Sequence, residues 1–156
     1  MTRRIGVLTG GGDAAGMNAA VRAAVRTIWH HGGEAIGIQR GWLGLAEGDA
    51  DVMAHGSVSG ILHQGGTILR TFRYPDFASE EGTAPVRKTL KKLKLGGMVV
   101  IGGDGSFRGA DKLARTFDLP VVGIPATIDN DIAGTDFSIG YDTALNIAVD
   151  AVDKIK

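Results

Sequence analysis

Glycine clusters set directly after short apolar runs constrain this chain more than any other feature. Residues 5–9 (IGVLT) run into Gly10-Gly11-Gly12, and residues 98–101 (MVVI) into Gly102-Gly103-Asp104-Gly105-Ser106. Each apolar run reads as a buried strand, and each glycine cluster is followed by apolar residues at helical spacing. Strands that alternate with helices in this way imply an α/β fold, with a Rossmann-like, mainly parallel sheet flanked by helices. Glycine makes up 25 of 156 residues, against a usual ~7%. With 4 prolines and no Gly-X-Y period, a collagen-like chain is excluded.

The pattern predicts a helix over 16–31, a strand over 35–38, and a loop over 40–48 anchored by Trp42 and Leu45. It predicts helical turns over 57–63, a short strand over 67–71 and a proline-bearing loop over 74–82. Thr83 is the expected cap of a helix to about Lys94, with Pro85 in its first turn. A helix from the Gly-Asp-Gly cluster to about Phe117 follows, then a strand over 121–124. Residues 125–141 read as a long loop, and 142–156 as a helix with Leu145, Ala148, Val149, Val152 and Ile155 on one stripe. The basic run Arg87, Lys88, Lys91, Lys92 and Lys94 reads as a solvated helix face. One domain over 1–156 is expected, since this length suffices for a core.

Charge narrows the function. Lys plus Arg number 17 against 17 Asp plus Glu. That balance argues against wholesale binding to nucleic acid or to an anionic membrane. No apolar run approaches a membrane span. With 0 cysteines there is no disulfide, thiolate metal site or thiol nucleophile, and a cytoplasmic location is expected. His30, His31, His55 and His63 form no zinc motif. Ser57, Ser59 and Ser106 lack a nucleophile-elbow context.

In a parallel sheet, ligands bind beyond the carboxyl ends of the strands. Residues 10–16, 102–106 and 125–131 all fall there. Glycine lets the backbone approach a ligand closely, and helix N-termini offer free N–H groups to phosphate. Three such segments point to a phosphate-rich ligand. A Walker loop is ruled out, because no Gly-Lys pair occurs. A dinucleotide fingerprint is only partly met, since Gln39 and Arg40 stand where an acidic ribose ligand is wanted.

Asp104 is placed either to reach a Mg²⁺ held by phosphates or to bond its own turn. Thr127-Ile128-Asp129-Asn130-Asp131 offers two carboxylates, either of which is a candidate base toward an attacking hydroxyl; an Asx-turn through Asn130 and Asp131 is the competing reading. Arg73 is either a partner for phosphoryl charge or an ordinary surface arginine.

The stretches 5–26 (IGVLTGGGDAAGMNAAVRAAVR), 41–45 (GWLGL), 65–73 (GGTILRTFR), 99–110 (VVIGGDGSFRGA) and 121–155 resemble the ATP-dependent 6-phosphofructokinases of bacteria. Thr-Ile-Asp-Asn-Asp with the later Gly140-Tyr141-Asp142-Thr143-Ala144 is the more specific part, because Gly-Gly-Asp-Gly also occurs in NAD kinases and lipid kinases. The resemblance implies Mg²⁺-dependent transfer of the ATP γ-phosphoryl group to the 1-hydroxyl of fructose 6-phosphate. It implies Asp129 as catalytic base, Thr127, Ile128 and Asp129 as the sugar segment, and Asp104 as the Mg²⁺ residue. It further implies Gly12, Arg73, Tyr74, Gly103, Asp104, Gly105 and Ser106 as ATP contacts, and Arg22 and Arg26 as effector-site arginines. A homotetramer is implied for the complete enzyme.

The likeness covers the N-terminal, ATP-binding lobe; the family's second lobe, with further sugar-phosphate contacts, is absent from this chain. Activity of these 156 residues alone is therefore expected to be little or none, and the last helix is expected to expose apolar surface. Pyrophosphate-dependent relatives usually carry Asp and Lys where this chain has Gly105 and Ala126, which favours ATP. Arg70 replaces a usual glycine, and His55 a frequent effector arginine, so weaker anion binding is expected at His55. The rival readings are a pyrophosphate-dependent or NAD-kinase-like enzyme, and a non-catalytic nucleotide-binding fragment.

Overall fold

The computed structural model describes residues 3–155. The chain alternates between strands and helices: β1 (Arg4–Thr9), α1 (Met17–His30), β2 (Glu34–Ile38), α2 (Gly41–Glu47), β3 (Ala50–Val52), α3 (Glu80–Leu93), β4 (Leu95–Gly102), α4 (Asp104–Phe117), β5 (Val121–Pro125) and α5 (Tyr141–Ile155). The sheet order is β3-β2-β1-β4-β5. All pairings are parallel except β2 with β3, which is antiparallel. The expected α/β sheet is thus present.

Strand side chains alternate between two cores. Val7, Ala35 and Ile101 join Met17, Val21 and Val25 of α1. Leu8, Ile36, Ile38, Met98 and Val100 join Leu45, Val86, Leu90 and Leu113 from α2, α3 and α4. Leu8, Val7, Ile38, Val100, Ile101 and Leu113 are fully buried. Each such side chain contributes roughly 1.5–3 kcal/mol by leaving water. β1 pairs with β2 on one side and β4 on the other, so the chain reverses its winding at the β1–β4 boundary. That reversal opens a crevice at the carboxyl ends of the two strands.

Several expectations need correction. Residues 40–48 are not a loop: α2 occupies them, with Trp42 and Leu45 buried one turn apart. Gly44 permits this, because a Cβ there would stand 1.6 Å from the Gln39 carbonyl oxygen. Packing therefore overrides the low helix propensity of its glycines. The Arg40 guanidinium clamps the turn, bonding Asp49 at 2.9 Å and Glu47 at 2.5 Å. Those two partners, Asp49 first, raise its pKa above the ordinary arginine value. The sequence reading contained no β3.

Residues 67–71 form a turn rather than a strand. The Arg70 amide donates to the Thr67 carbonyl at 3.1 Å, and Arg70 has φ 58°. Helical structure comes earlier than expected around residue 57, as a 3-10 turn at His55–Val58. A second 3-10 turn, Pro75–Ala78, interrupts the expected loop. Helix α3 starts before Thr83, because the Ser79 hydroxyl caps it by accepting the Gly82 amide at 3.0 Å. Pro85 consequently lies in the second turn, where it removes one helical hydrogen bond. The last helix runs as foreseen to Ile155; Lys156 lies outside the described residues.

Candidate active site

Three backbone segments meet at the crevice. The Gly10 amide donates to the Ile101 carbonyl at 2.9 Å, tying the first glycine loop to the end of β4. The Ala126 amide donates to the Gly102 carbonyl at 2.9 Å, tying the segment after β5 to the second loop. Neighbouring glycines are needed for this approach: a Cβ on Gly102 would lie 2.5 Å from the Gly10 carbonyl oxygen.

Between them is a cleft of about 640 Å³. Its walls are Gly11–Asp13, Gly103–Ser106, Ala126–Asp129 with Asp131, and Phe72–Pro75 with Trp42. Every expected ATP and sugar contact lines it: Gly12, Arg73, Tyr74, Gly103, Asp104, Gly105, Ser106, Thr127, Ile128 and Asp129. The cleft also takes in Asp13, Trp42, Phe72 and Pro75, which the sequence reading left out of the site. The expected packing anchor Trp42 thus also forms part of the cleft wall, and nothing in its spacing marks that place.

Helix α4 points its N-terminus at this space. Its first intrahelical bond is the Phe107 amide to the Gly103 carbonyl at 3.1 Å. The amides of Asp104, Gly105 and Ser106 precede that bond and form the positive end of the helix dipole. Cβ atoms added to Gly12 or Gly105 would meet nothing within 4 Å, so ligand can come up to the backbone at both.

The Asp129 loop is held by a short network. The Asn130 Oδ1 accepts the Ser138 amide at 2.8 Å, and the Asn130 amide group donates to the Asp136 carbonyl at 3.1 Å. Ser138 Oγ donates to the Thr127 carbonyl at 2.7 Å, and the Asp129 amide to Thr127 Oγ1 at 3.2 Å. Asn130 adopts φ 50°, a left-handed conformation that asparagine tolerates. The expected Asx-turn through Asn130 and Asp131 is not what forms: Asn130 Oδ1 accepts from Ser138, eight residues on, and Thr127 Oγ1 is the side chain that accepts an amide two residues on. Asn130 shapes the loop while Asp129 and Asp131 line the cleft.

Asp104 opens α4 and pairs with Arg108 at 2.8 Å. Among the described residues, no three metal-ligating side chains cluster. One or two carboxylates supplemented by phosphate oxygens is the donor set that suits Mg²⁺ in nucleotide sites. Asp104, with Asp129 and Asp131 along the same cleft, fits that description.

Arg22 and Arg26 lie elsewhere. Neither lines the cleft. The Arg22 guanidinium donates to the Val58 carbonyl in the turn that follows His55. The His55 ring rests on Trp29, with centroids 4.0 Å apart. Arg70 is exposed and absent from the cleft wall. Its positive φ accounts for the glycine that the resemblance leads one to expect there.

The chain has clear relatives among known proteins. Residues 4–156 match the family described as Phosphofructokinase. An ATP-dependent 6-phosphofructokinase of Halothermothrix orenii is 53% identical over 99% of this chain and 46% of its own length. One from Halalkalibacterium halodurans is 56% identical over 99% of this chain and 48% of its own. The chain thus spans about half the length of the bacterial relatives it matches. The Pichia pastoris phosphofructokinase structure in the T-state superposes with a TM-score of 0.95 at 34% identity, covering 99% of this chain and 18% of that one. A pyrophosphate-dependent phosphofructokinase from Marinobacter aquaeolei, at 21% identity and a TM-score of 0.76, covers 89% of this chain and 37% of its own and shares the fold. The family match over residues 4–156 and the relatives' identity agree, and the chain belongs to the phosphofructokinase family.

Proposed function

We propose that this chain is the ATP-binding, N-terminal lobe of a 6-phosphofructokinase that transfers the γ-phosphoryl group of Mg-ATP to the 1-hydroxyl of fructose 6-phosphate. The observation that carries this reading is the shared cleft. The α4 N-terminus and the Asp129 carboxylate line one space, and backbone bonds fix the loops that bear them.

The roles follow from chemistry. Gly11, Gly12 and the amides of residues 103–106 receive phosphate oxygens along the backbone. Arg73 lines the same cleft and offsets charge on the transferring group. Asp129 accepts the proton of the sugar 1-hydroxyl as that oxygen bonds to the γ-phosphorus. The bond from that phosphorus to the bridging oxygen breaks, and ADP leaves with the electron pair. Asp104 would hold Mg²⁺, which when bound supplies neutralisation of the phosphate charge. Thr127 and Ile128 orient the sugar beside Asp129.

Open space at Gly105 supports ATP over pyrophosphate as donor, since it leaves room for the nucleotide α-phosphate. The same reading assigns Arg22 and Arg26 to an effector site, weakened by His55, in a cytoplasmic homotetramer completed by a second lobe. No described helix is long and apolar enough to cross a membrane.

The test is formation of fructose 1,6-bisphosphate from Mg-ATP and fructose 6-phosphate by the longest natural form of this chain, with Asp129→Asn as control. Product from the parent but not the variant is expected. Equal product from both would overturn the role of Asp129, and phosphorylation of NAD in place of the sugar phosphate would overturn the substrate.

A further inference from the structure

Arg87, Leu90, Lys91 and Lys94 recur at the spacing of one helical face. That face of α3 borders a second hollow, of about 510 Å³, whose other wall is the end of α4. Small-molecule sites run to roughly 300–1,000 Å³. The hollow lies where β4 and β5 begin, whereas the phosphate cleft lies where they end. The 14 residues of α4 separate the two, a distance of about 20 Å.

The floor of the hollow is apolar. Leu90 and Leu95 are buried, and Phe117 and Leu119 are half-buried. Its rim is cationic, with Arg87, Lys91, Lys94 and Arg115 against the single carboxylate of Asp118. Arg115 is already bonded to Asp111 at 2.8 Å. Arg87, Lys91 and Lys94 have no carboxylate within ion-pairing distance among the described residues.

Cations at a helix C-terminus ordinarily serve its free carbonyls. Here those carbonyls already have donors. The Lys94 amide takes the Leu90 and Lys91 carbonyls, and the Arg4 guanidinium donates to the Leu93 carbonyl at 3.2 Å. On α4, the Asp118 and Leu119 amides both reach the Ala114 carbonyl. Arg87 is also oriented, because its guanidinium carbon rests 5.0 Å from the centroid of the Phe117 ring. A guanidinium stacked in this way keeps its N–H edge free for two parallel bonds to a carboxylate.

We propose that this hollow binds a small organic acid, with its carboxylate on Arg87 and the neighbouring lysines and its apolar body over Leu90, Leu95 and Leu119. An inorganic anion would leave the floor in water, and a neutral hydrocarbon would leave the cations without a partner. A medium-chain fatty acid and an aromatic acid share the required chemistry.

Titration calorimetry on the longest natural form of the chain separates these sources. Decanoate and 2-naphthoate are the probes, each kept below its aggregation concentration. One of them is expected to bind once per chain, with acetate and decyltrimethylammonium at least about tenfold weaker. Arg87→Gln should weaken the acid at least about fivefold, the exposure of the site being allowed for. Lys92→Gln, exposed on the same helix but outside the hollow, should stay within about twofold. Saturating ADP should also leave the affinity within about twofold, since α4 stands between the two sites. Binding of neither acid, or equal binding of acetate or of the cationic amphiphile, would overturn the proposal. So would an acid that ADP displaces, which would sit in the cleft, or one indifferent to Arg87→Gln, which would sit on another apolar surface such as α5.

Discussion

Asn130 and Ser138 close the acidic loop across eight residues, with Oδ1 of the first accepting the amide of the second at 2.8 Å. This bond braces the loop that carries Asp129. Asn130→Ala loses it, loses the 3.1 Å bond to the Asp136 carbonyl, and puts a Cβ-bearing residue without asparagine's tolerance at φ 50°. The expected result is a fall of about tenfold or more in kcat/KM for fructose 6-phosphate, because small misplacement of a reacting group costs that much. ATP affinity should hold, and a parallel loss in ATP affinity would show that the loop serves both substrates.

Asp129→Asn should keep the shape of the loop and lose the proton acceptor. A drop of about 10²–10⁴ in kcat is expected, with ATP binding within twofold of the parent. Steady-state kinetics with calorimetry on the same samples separates the two quantities.

Gly105→Asp meets no steric obstacle in the protein, since nothing lies within 4 Å of the added Cβ. Its melting temperature should therefore match the parent's. Combined with Ala126→Lys, it places a carboxylate where the α-phosphate would lie, and ATP use should be lost through repulsion and crowding. Unchanged ATP kinetics in the double variant would refute the account of donor choice.

Arg70 sits exposed at φ 58°, outside the cleft wall. Relief of left-handed strain should outweigh the added chain entropy of glycine, so Arg70→Gly is expected to gain about 1 kcal/mol of stability. Urea unfolding measures this directly, and a loss of stability would mean that the arginine side chain makes a favourable interaction at the surface.

Helix α5 buries none of its residues: Leu145 is 51% exposed, Val149 52%, Val152 58% and Ile155 85%. Val122 on the edge strand β5 adds 62%. An apolar stripe of this kind marks an interaction surface or an aggregation liability. The 156 residues in isolation should therefore bind a hydrophobic dye and self-associate, and Leu145→Lys with Val149→Lys should reduce both in light scattering. A monodisperse, dye-silent parent would contradict this.

Much of the architecture follows from local pattern. Continuous apolar runs such as 98–101 mark buried parallel strands, and glycines directly after them mark loops that a ligand must approach. Both signals are short-range, so residue spacing carries them, and the order of β1, α1, β2, α3, β4, α4, β5 and α5 was legible on that basis. The acidic segment 127–131 and the Gly-Asp-Gly-Ser loop were legible as parts of the candidate site for the same reason, and both line the cleft. Their chemistry resides in side-chain type and in position relative to a strand end.

Tertiary packing decided the rest. Residues 41–47 contain two glycines and look like a loop, yet Trp42 and Leu45 find a core to fill and make them helical. Residues 67–71 look like a strand, but the Thr9 hydroxyl accepts them into a turn by donating to the Arg70 carbonyl at 2.8 Å. Trp42 illustrates the division best. Its apolar character is written in the sequence, whereas its place in the cleft wall depends on Gly10, Phe77 and Gly109, which lie 32, 35 and 67 positions away along the chain. No local window contains such a contact. Burial and ligand access are properties of surfaces brought together by folding, and for that reason only the structure assigns them.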